Sequence, residues 1–168
     1  NIDTIEKAAG KKFAYLHYDP AQKNIVESMN LVAVPSDISD FVKKFNSGQV
    51  DVIAAPAYAY NPLEINKGLG NGGLFNFPVV NITADIVIRS DKFPADFGMQ
   101  SRQWFVKKLP QNFANIRRLE ADMNAKKMNL LGEDRVRYQK LLRTGRMNLT
   151  KQGIYDPVMM SVLKRVRL

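Results

Sequence analysis

The chain of 168 residues is long enough for one domain with a sizeable core, and its hydrophobic and charged fractions, 45% and 24%, are ordinary for a globular protein. It holds no cysteine and a single histidine, His17. This excludes a disulfide framework, a thiolate metal site, a cysteine nucleophile and zinc held by several histidines. No apolar run approaches the roughly 20 residues that a membrane-spanning helix needs, so we expect a protein that does not span a membrane.

The net charge of +9 is unevenly distributed along the chain. Residues 1–99 carry nine Lys or Arg and eleven Asp or Glu, a net of −2, whereas residues 100–168 carry sixteen and five, a net of +11. A basic segment can bind nucleic acid, anionic lipid or an acidic partner. The basic residues are spread through helical patterns and have few aromatic neighbours for stacking bases. We therefore expect solvated helix faces and no nucleic-acid binding, with a basic interaction module as the alternative.

The first half of the chain alternates short apolar runs with amphipathic helical patterns. The runs are typical of buried strands, and Asp19-Pro20 is a typical helix start because Asp caps the helix and Pro fits its first turn. Strand, helix, strand, helix, strand with short connections predicts a parallel sheet with right-handed crossovers. The predicted strands lie at 13–16, 31–34 and 50–55.

The second half begins with a long extended pattern and continues as helices. In residues 79–89, apolar side chains alternate with others over eleven residues, which exceeds the usual strand of about 5–6 residues. We expect this strand to span more than one structural unit. Breaks are expected at Gly145, Gly153 and Pro157. The predicted helices lie at 99–109, 113–127, 133–144 and 156–167.

Three glycines, Gly68, Gly70 and Gly73, match the G-x-G-x-x-G pattern of dinucleotide-binding proteins. That pattern must follow a strand and open a helix. Here a predicted helix, 57–67, precedes the glycines and an extended segment follows them. The reversed context favours a flexible helix-to-strand turn, and we expect no cofactor.

Candidate ligand contacts follow the predicted strands, because ligands of parallel sheets bind beyond the carboxyl ends of the strands. His17 and Tyr18 follow the first strand; a hydrogen-bonded loop histidine is the structural alternative. The third strand ends in small residues, followed by Pro56, Tyr58, Tyr60 and Asn61. Tyrosines two apart can also pack one inward and one outward. The carboxylates are dispersed, with no acid and base held together, so we expect no enzyme and no metal site.

Several stretches resemble a known family. The segment FVKKFNSGQVDVIAAP, residues 41–56, is similar to the second lobe of the solute receptors of TRAP transporters. A closer resemblance is to the AdeT family of solute-binding proteins of Acinetobacter, a family associated with RND-type efflux and aminoglycoside resistance. It rests on four stretches that are spread over nearly the whole chain, at residues 1–19, 35–70, 87–98 and 153–167.

The resemblance implies an α/β fold, a doubly wound, mainly parallel lobe like those of type II periplasmic binding proteins, followed by C-terminal helices. Residues 1–88 would form the second lobe of a two-lobe binding protein. Residues 89–168 would hold the end of a crossover strand and a helical region that braces both lobes. The first lobe would then lie largely outside this chain, which starts at Asn1 without a signal peptide.

The implied function is capture of a small solute, an organic acid or another polar metabolite, in an interlobe cleft for the subunits of a membrane transporter. The implied location is the bacterial periplasm. An accessory role in multidrug or aminoglycoside efflux is the alternative. One departure from TRAP receptors concerns the arginine by which they hold a carboxylate in the strand that opens the second lobe. The corresponding run here, Lys11 to Ala14, has no arginine, which implies a different ligand polarity.

Overall fold

A computed structural model describes residues 2–77, 79, 85–130 and 132–165. Helices and short strands alternate up to residue 77, and long helices follow. Short 3-10 turns lie at Ala57–Ala59 and Ser90–Lys92. The elements in chain order are α1 (Ile5–Ala8), β1 (Lys12–Leu16), α2 (Pro20–Ser28), β2 (Val32–Ser36), α3 (Phe41–Asn46), β3 (Val52–Ile53), α4 (Asn66–Leu69), β4 (Leu74–Phe75), α5 (Phe97–Asn124), β5 (Lys127–Met128), α6 (Gly132–Lys151) and α7 (Pro157–Arg165).

The first sheet is parallel, as predicted, with strand order β2-β1-β3. Side chains that follow one another along a strand point to opposite faces, and each face of β1 packs against its own cluster of apolar residues. Phe13 packs against the cluster of Ala8, Val26 and Leu31. Ala14 belongs to the cluster that holds Phe41 and Val50. Apolar layers on both faces confirm the doubly wound α/β lobe.

The start of α2 follows the sequence prediction. The Asp19 side chain accepts a hydrogen bond from the backbone N–H of Gln22 at 2.9 Å, and Pro20 occupies the first turn. This arrangement satisfies one of the backbone donors that a helix start leaves unpaired, and proline there loses no hydrogen bond. The cap fixes where β1 ends and α2 begins, which positions the loop that carries His17.

The prediction of two helices at 99–109 and 113–127 is wrong, because α5 runs continuously through Pro110. The predicted break at Gly145 is also wrong, since this residue lies inside α6. A β-carbon added there would lie 3.4 Å from Ile25 Cγ1 of α2. Gly145 therefore lets α6 lie close against α2, so its role is packing and not helix termination.

The prediction of an extended strand over 79–89 is wrong for the residues that the structure describes. Val79 and residues 85–89 have no regular secondary structure, and the side chains of Ile86 and Val87 are 90% and 89% exposed. A strand needs a neighbour that accepts and donates its backbone hydrogen bonds, and the described ladders join other segments. Residues 80–84 lie outside the described part of the chain.

The helical half contacts the first half of the chain through packed helices and through a pair of short strands. Helix α6 packs against α2 and α1. Strands β4 and β5 form a parallel pair in which Leu74 faces Lys127 and Phe75 faces Met128. The division into a lobe at 1–88 and a bracing region at 89–168 stays a prediction.

Candidate functional site

The ends of β1 and β2 meet at a small pocket that holds His17. The backbone N–H of His17 donates to the Ser36 carbonyl at 3.0 Å, which fixes the end of one strand against the other. The His17 side chain lies beside Asp37, the residue that follows Ser36. Its Nδ1 atom is 3.0 Å from Asp37 Oδ1 and 3.4 Å from the Ser36 carbonyl oxygen. The pocket has a volume of about 310 Å³, and its lining residues are His17, Pro35, Ser36, Asp37 and Lys44.

The side chain of Lys44 holds the end of β2 in place beside this pocket. Its ammonium donates to the Pro35 carbonyl at 3.0 Å and to Ser36 Oγ at 3.2 Å, and it pairs with Asp40 Oδ2 at 2.9 Å. The hydrogen bond from Lys44 lowers the pKa of Asp40, and the backbone N–H of Asp37 lowers it further. An ammonium has three N–H donors, so these three contacts use all of them. Lys44 is therefore a tie between α3 and the end of β2.

Tyr18 follows His17 in the loop between β1 and α2. Its ring meets the His17 ring edge to face, with centroids 5.1 Å apart and planes at 81°. The tyrosine is 57% exposed, so most of its ring surface is open to a partner. The rings of His17 and Tyr18 are thus in contact, and the assignment of both residues as ligand contacts stays a prediction.

The second predicted group follows β3 and divides into exposed and buried residues. Pro56 is half-buried and precedes the 3-10 turn, whereas Tyr58 is 67% exposed. Tyr60 is only 6% exposed, so its ring lies in the interior. Asn61 Nδ2 lies 3.5 Å from Asp122 Oδ2 and links this loop to α5. Tyr58 is thus the aromatic residue of this group whose ring is available to a solute.

The two groups follow neighbouring strands, since β1 lies between β2 and β3. The pocket beside His17, however, is lined only by residues from the β1 and β2 ends and by Lys44. The assignments of Pro56, Tyr58, Tyr60 and Asn61 as ligand contacts stay predictions. Sequence reasoning missed Pro35 and Ser36, the last two residues of β2, and Asp37, which follows β2 in the same way that His17 follows β1.

The glycine pattern has no place in this site. Gly68 lies in α4, and Gly73 directly precedes β4. The order is helix, then glycines, then strand, which is the reverse of a dinucleotide-binding turn. Gly70 adopts a φ of 52°, as expected of a turn residue.

Across the described ranges, no group of three or more His, Cys, Asp or Glu side chains is arranged to hold a metal ion. Within those same ranges, none of the helices combines the length and the apolar character needed to cross a bilayer. The pocket offers hydrogen-bonding groups, and the exposed ring of Tyr18 lies against His17 at its edge. Such a combination orients a small polar ligand.

Comparisons with known proteins show the family to which the chain belongs. Residues 1–168 match the model of a family described as solute-binding protein AdeT 1/2. The chain is 42% identical to "Probable solute-binding protein AdeT1" of Acinetobacter baumannii, over 99% of this chain and 56% of that protein. It is 24% identical to "Probable solute-binding protein AdeT2" of the same organism, over 99% of this chain and 71% of that protein.

A solved structure shares the fold. It is a TRAP periplasmic solute-binding protein from Desulfovibrio salexigens with bound orotic acid, and it matches with a TM-score of 0.71 at 12% identity. The match covers 98% of this chain and 56% of that one. The chain thus spans about half the length of AdeT1 and of this structural neighbour.

Proposed function

The chain belongs to the AdeT 1/2 family of solute-binding proteins, and on that premise we propose that it captures a small polar solute at the carboxyl edge of its parallel sheet and passes it to a membrane transporter. Membership of this family supports a binding role and not catalysis. The observation that carries the proposal is the pocket of about 310 Å³ in which the ends of β1 and β2 bring His17 and Asp37 together. Exposed Tyr18 stands beside it.

In this proposal the aromatic rings and the pocket act on different parts of the solute. Tyr18 and Tyr58, 57% and 67% exposed, supply flat apolar surface for a ring or a carbon skeleton. His17 and Asp37 supply the hydrogen bonds that set the orientation of the solute. Tyr60, which is buried, supports the position of Tyr58 two residues away.

We further propose that the solute is enclosed between this lobe and a second one, in the bacterial periplasm. Two observations support a second lobe. The chain spans 56% of the length of AdeT1. Several large apolar side chains of α5 are at least half exposed, namely Trp104, Phe105 and Phe113. Closure of two lobes around a ligand is the usual motion of periplasmic binding proteins and would present the loaded form to the transporter.

A thermal-shift screen of the purified protein tests this proposal. The panel contains small carboxylates, amino acids, sugars and aminoglycosides. A ligand that binds only the folded state raises its melting temperature, by about 2.7 kcal/mol of stability at a hundred times its dissociation constant. We expect a shift with one compound class, and a shift confined to aminoglycosides would favour the efflux role. The absence of a shift with every class would contradict solute binding.

The contribution of Tyr58 is tested on the compound that the screen identifies. We expect Tyr58→Ala to weaken binding about tenfold, because the contact between the Tyr58 ring and the bound solute is lost. Tyr58→Phe is the matched control and should keep most of the affinity, since the ring remains. Isothermal titration gives both constants, and urea unfolding checks that the variants are folded. Equal affinity in Tyr58→Ala and the wild type would remove Tyr58 from the site.

A further inference from the structure

The two neighbours of the His17 ring fix which of its nitrogens carries the proton. Nδ1 lies 3.0 Å from Asp37 Oδ1 and 3.4 Å from the Ser36 carbonyl oxygen. A carboxylate and a carbonyl only accept hydrogen bonds. Both contacts therefore require a hydrogen on Nδ1. In the neutral ring the other nitrogen, Nε2, then carries a lone pair and is a hydrogen-bond acceptor.

The other polar side chains of the pocket have no free hydrogen-bond donor for a ligand either. Lys44 is the cation among the lining residues, and its three donors are used by Pro35, Ser36 and Asp40. The Ser36 hydroxyl donates to the Val34 carbonyl at 3.3 Å, and Ser36 is 3% exposed. Among the side chains of these lining residues, the polar atoms left without a hydrogen-bond partner are Nε2 of His17 and the second oxygen of Asp37. Both of these atoms accept hydrogen bonds.

We propose that this pocket selects solutes by a hydrogen-bond donor, a hydroxyl or an ammonium group, which His17 Nε2 and Asp37 accept together. This inference rests on the proposed solute-binding function and names the chemistry of its ligand. While the His17 ring is neutral, a carboxylate group is rejected here, because its oxygens would face two acceptors with no donor between them. Specificity of this kind comes from the unpaired or repelling groups that the wrong ligand leaves in the site.

Asp37 is a positioning residue in this arrangement as well as a ligand contact. It holds Nδ1–H and so keeps the lone pair on Nε2, in the manner of the carboxylates that orient histidines elsewhere. Without Asp37 the ring can rotate and exchange tautomers. The ligand would then lose a fixed acceptor even though His17 is still present.

The tautomer can be measured without any ligand. His17 is the one histidine of these 168 residues, so histidine labelled with nitrogen-15 reports on it directly. If the full-length protein contains further histidines, the spectrum of His17→Gln identifies the His17 signals by difference. At pH 8 we expect Nδ1 to show the signal of a protonated ring nitrogen and Nε2 that of an unprotonated one. Asp37→Ala should return the ring toward a mixture, whereas Asp85→Ala, at an exposed carboxylate outside the pocket, should change nothing. A protonated Nε2 in the wild type would overturn the inference.

The ligand class is tested with three probes that share a four-carbon chain: 1,4-butanediol, 1,4-diaminobutane and succinate. Isothermal titration at pH 8 should give at least about tenfold tighter binding of the diol or the diamine than of succinate. His17→Ala should abolish that preference, and His17→Gln, whose amide oxygen can accept, should keep part of it. The diol and the diamine distinguish a hydroxyl from an ammonium ligand.

The two proposals fail in different ways. Succinate binding that is as tight as that of the diol and the diamine and unchanged in His17→Ala would overturn the donor-group inference and leave solute binding intact. The donor-group inference is overturned in the same way if the preferred probe binds His17→Ala as well as it binds the wild type. If none of the probes, and no compound of the thermal-shift panel, binds the folded protein, the solute-binding function itself is contradicted and the inference falls with it.

Discussion

The sheet region, residues 2–77, and the helical region, residues 85–165, bury their apolar side chains to very different extents. In the sheet region, buried residues lie on both faces of β1, with Val26 at 2% exposure on one face and Phe41 at 7% on the other. In the helical region, α5 has 28 residues and none of them is buried. An apolar helical pattern therefore does not ensure burial. Burial also requires a surface to pack against.

Helix α6 shows what such a surface does within the helical region. It packs against α2 and α1, and it buries Tyr138, Leu142 and Leu149, the last with no exposed surface. Helix α5 has comparable apolar side chains, yet Trp104 is 62% exposed and Ile116 46%. An exposed apolar surface of this kind marks an interaction site. The contrast between α5 and α6 supports the proposal that a second lobe covers α5.

Truncation of one phenylalanine in each region should give the largest contrast. Phe41→Ala empties a buried position beside Ala14 and Val50 and should lower the free energy of unfolding by about 3–5 kcal/mol. Phe113 is 52% exposed on α5, and Phe113→Ala should change it by roughly 0.5 kcal/mol or less in this chain. Urea unfolding followed by circular dichroism measures both.

The same two substitutions can be compared in a protein that also contains a second lobe. If a second lobe covers α5, Phe113→Ala should cost clearly more in a full-length protein than in these 168 residues, while the cost of Phe41→Ala should stay the same. Equal, small effects of Phe113→Ala in both lengths would show that α5 has another partner or none.

The fold of the sheet region could be predicted from sequence because its signals are local. Asp19-Pro20 marks a helix start by its own chemistry, and the run from Phe13 to Leu16 is apolar whatever surrounds it. The prediction at residues 79–89 was wrong where it can be checked, because alternation cannot supply a neighbouring strand. Gly145 misled for a related reason. A glycine at a close approach between helices looks the same in sequence as one that ends a helix.

The candidate site was predictable to the extent that it follows strand ends. That rule selects His17, which lines a pocket, and Tyr18, whose ring contacts His17. Their role as ligand contacts stays a prediction. It could not predict that Asp37 faces Nδ1 of His17, because their contact depends on the register of β1 and β2 and on the turn before α3. Nor could spacing tell Tyr58 from Tyr60, since the side chain of Tyr58 is exposed whereas that of Tyr60 is buried by tertiary packing.

The pair of short strands that joins the two regions should respond more moderately. A β-carbon at Gly73 would lie 2.8 Å from the Lys126 carbonyl oxygen and 2.8 Å from Met128 Sδ. The backbone oxygen cannot move away easily, since it accepts the hydrogen bond of Leu74 N. We expect Gly73→Ala to lower the free energy of unfolding by about 1–3 kcal/mol.

Gly98, near the start of α5, is the matched control for Gly73. A β-carbon there meets nothing within 4 Å, and its backbone is helical. Gly98→Ala should therefore stabilise the protein, by up to about 1 kcal/mol, because alanine is the better helix former. Opposite signs in the two variants, measured by urea unfolding, confirm that β4 and β5 pack closely while α5 is open. Equal signs would contradict this difference.

The smallest effect is expected at the ion pair between Glu6, which lies in α1, and Arg137 in α6. The hydrogen bond from Arg137 lowers the pKa of Glu6 below its usual 4.5, and the pKa of Arg137 is raised in return. A carboxyl group with a lowered pKa in the folded state stabilises the protein above its unfolded pKa, and this contribution is lost as the pH falls through the folded value. Glu6→Gln should therefore lower the urea midpoint slightly at pH 7, and the difference from the wild type should shrink as the pH falls below 4.5 and vanish once Glu6 is protonated in the folded state. Glu120→Gln, at an exposed position of α5, should leave the pH dependence unchanged. If Glu6→Gln keeps the full acid sensitivity of the wild type, the ion pair does not contribute to stability, and the contact of α6 with the sheet region depends on packing such as the close approach of Gly145 to Ile25.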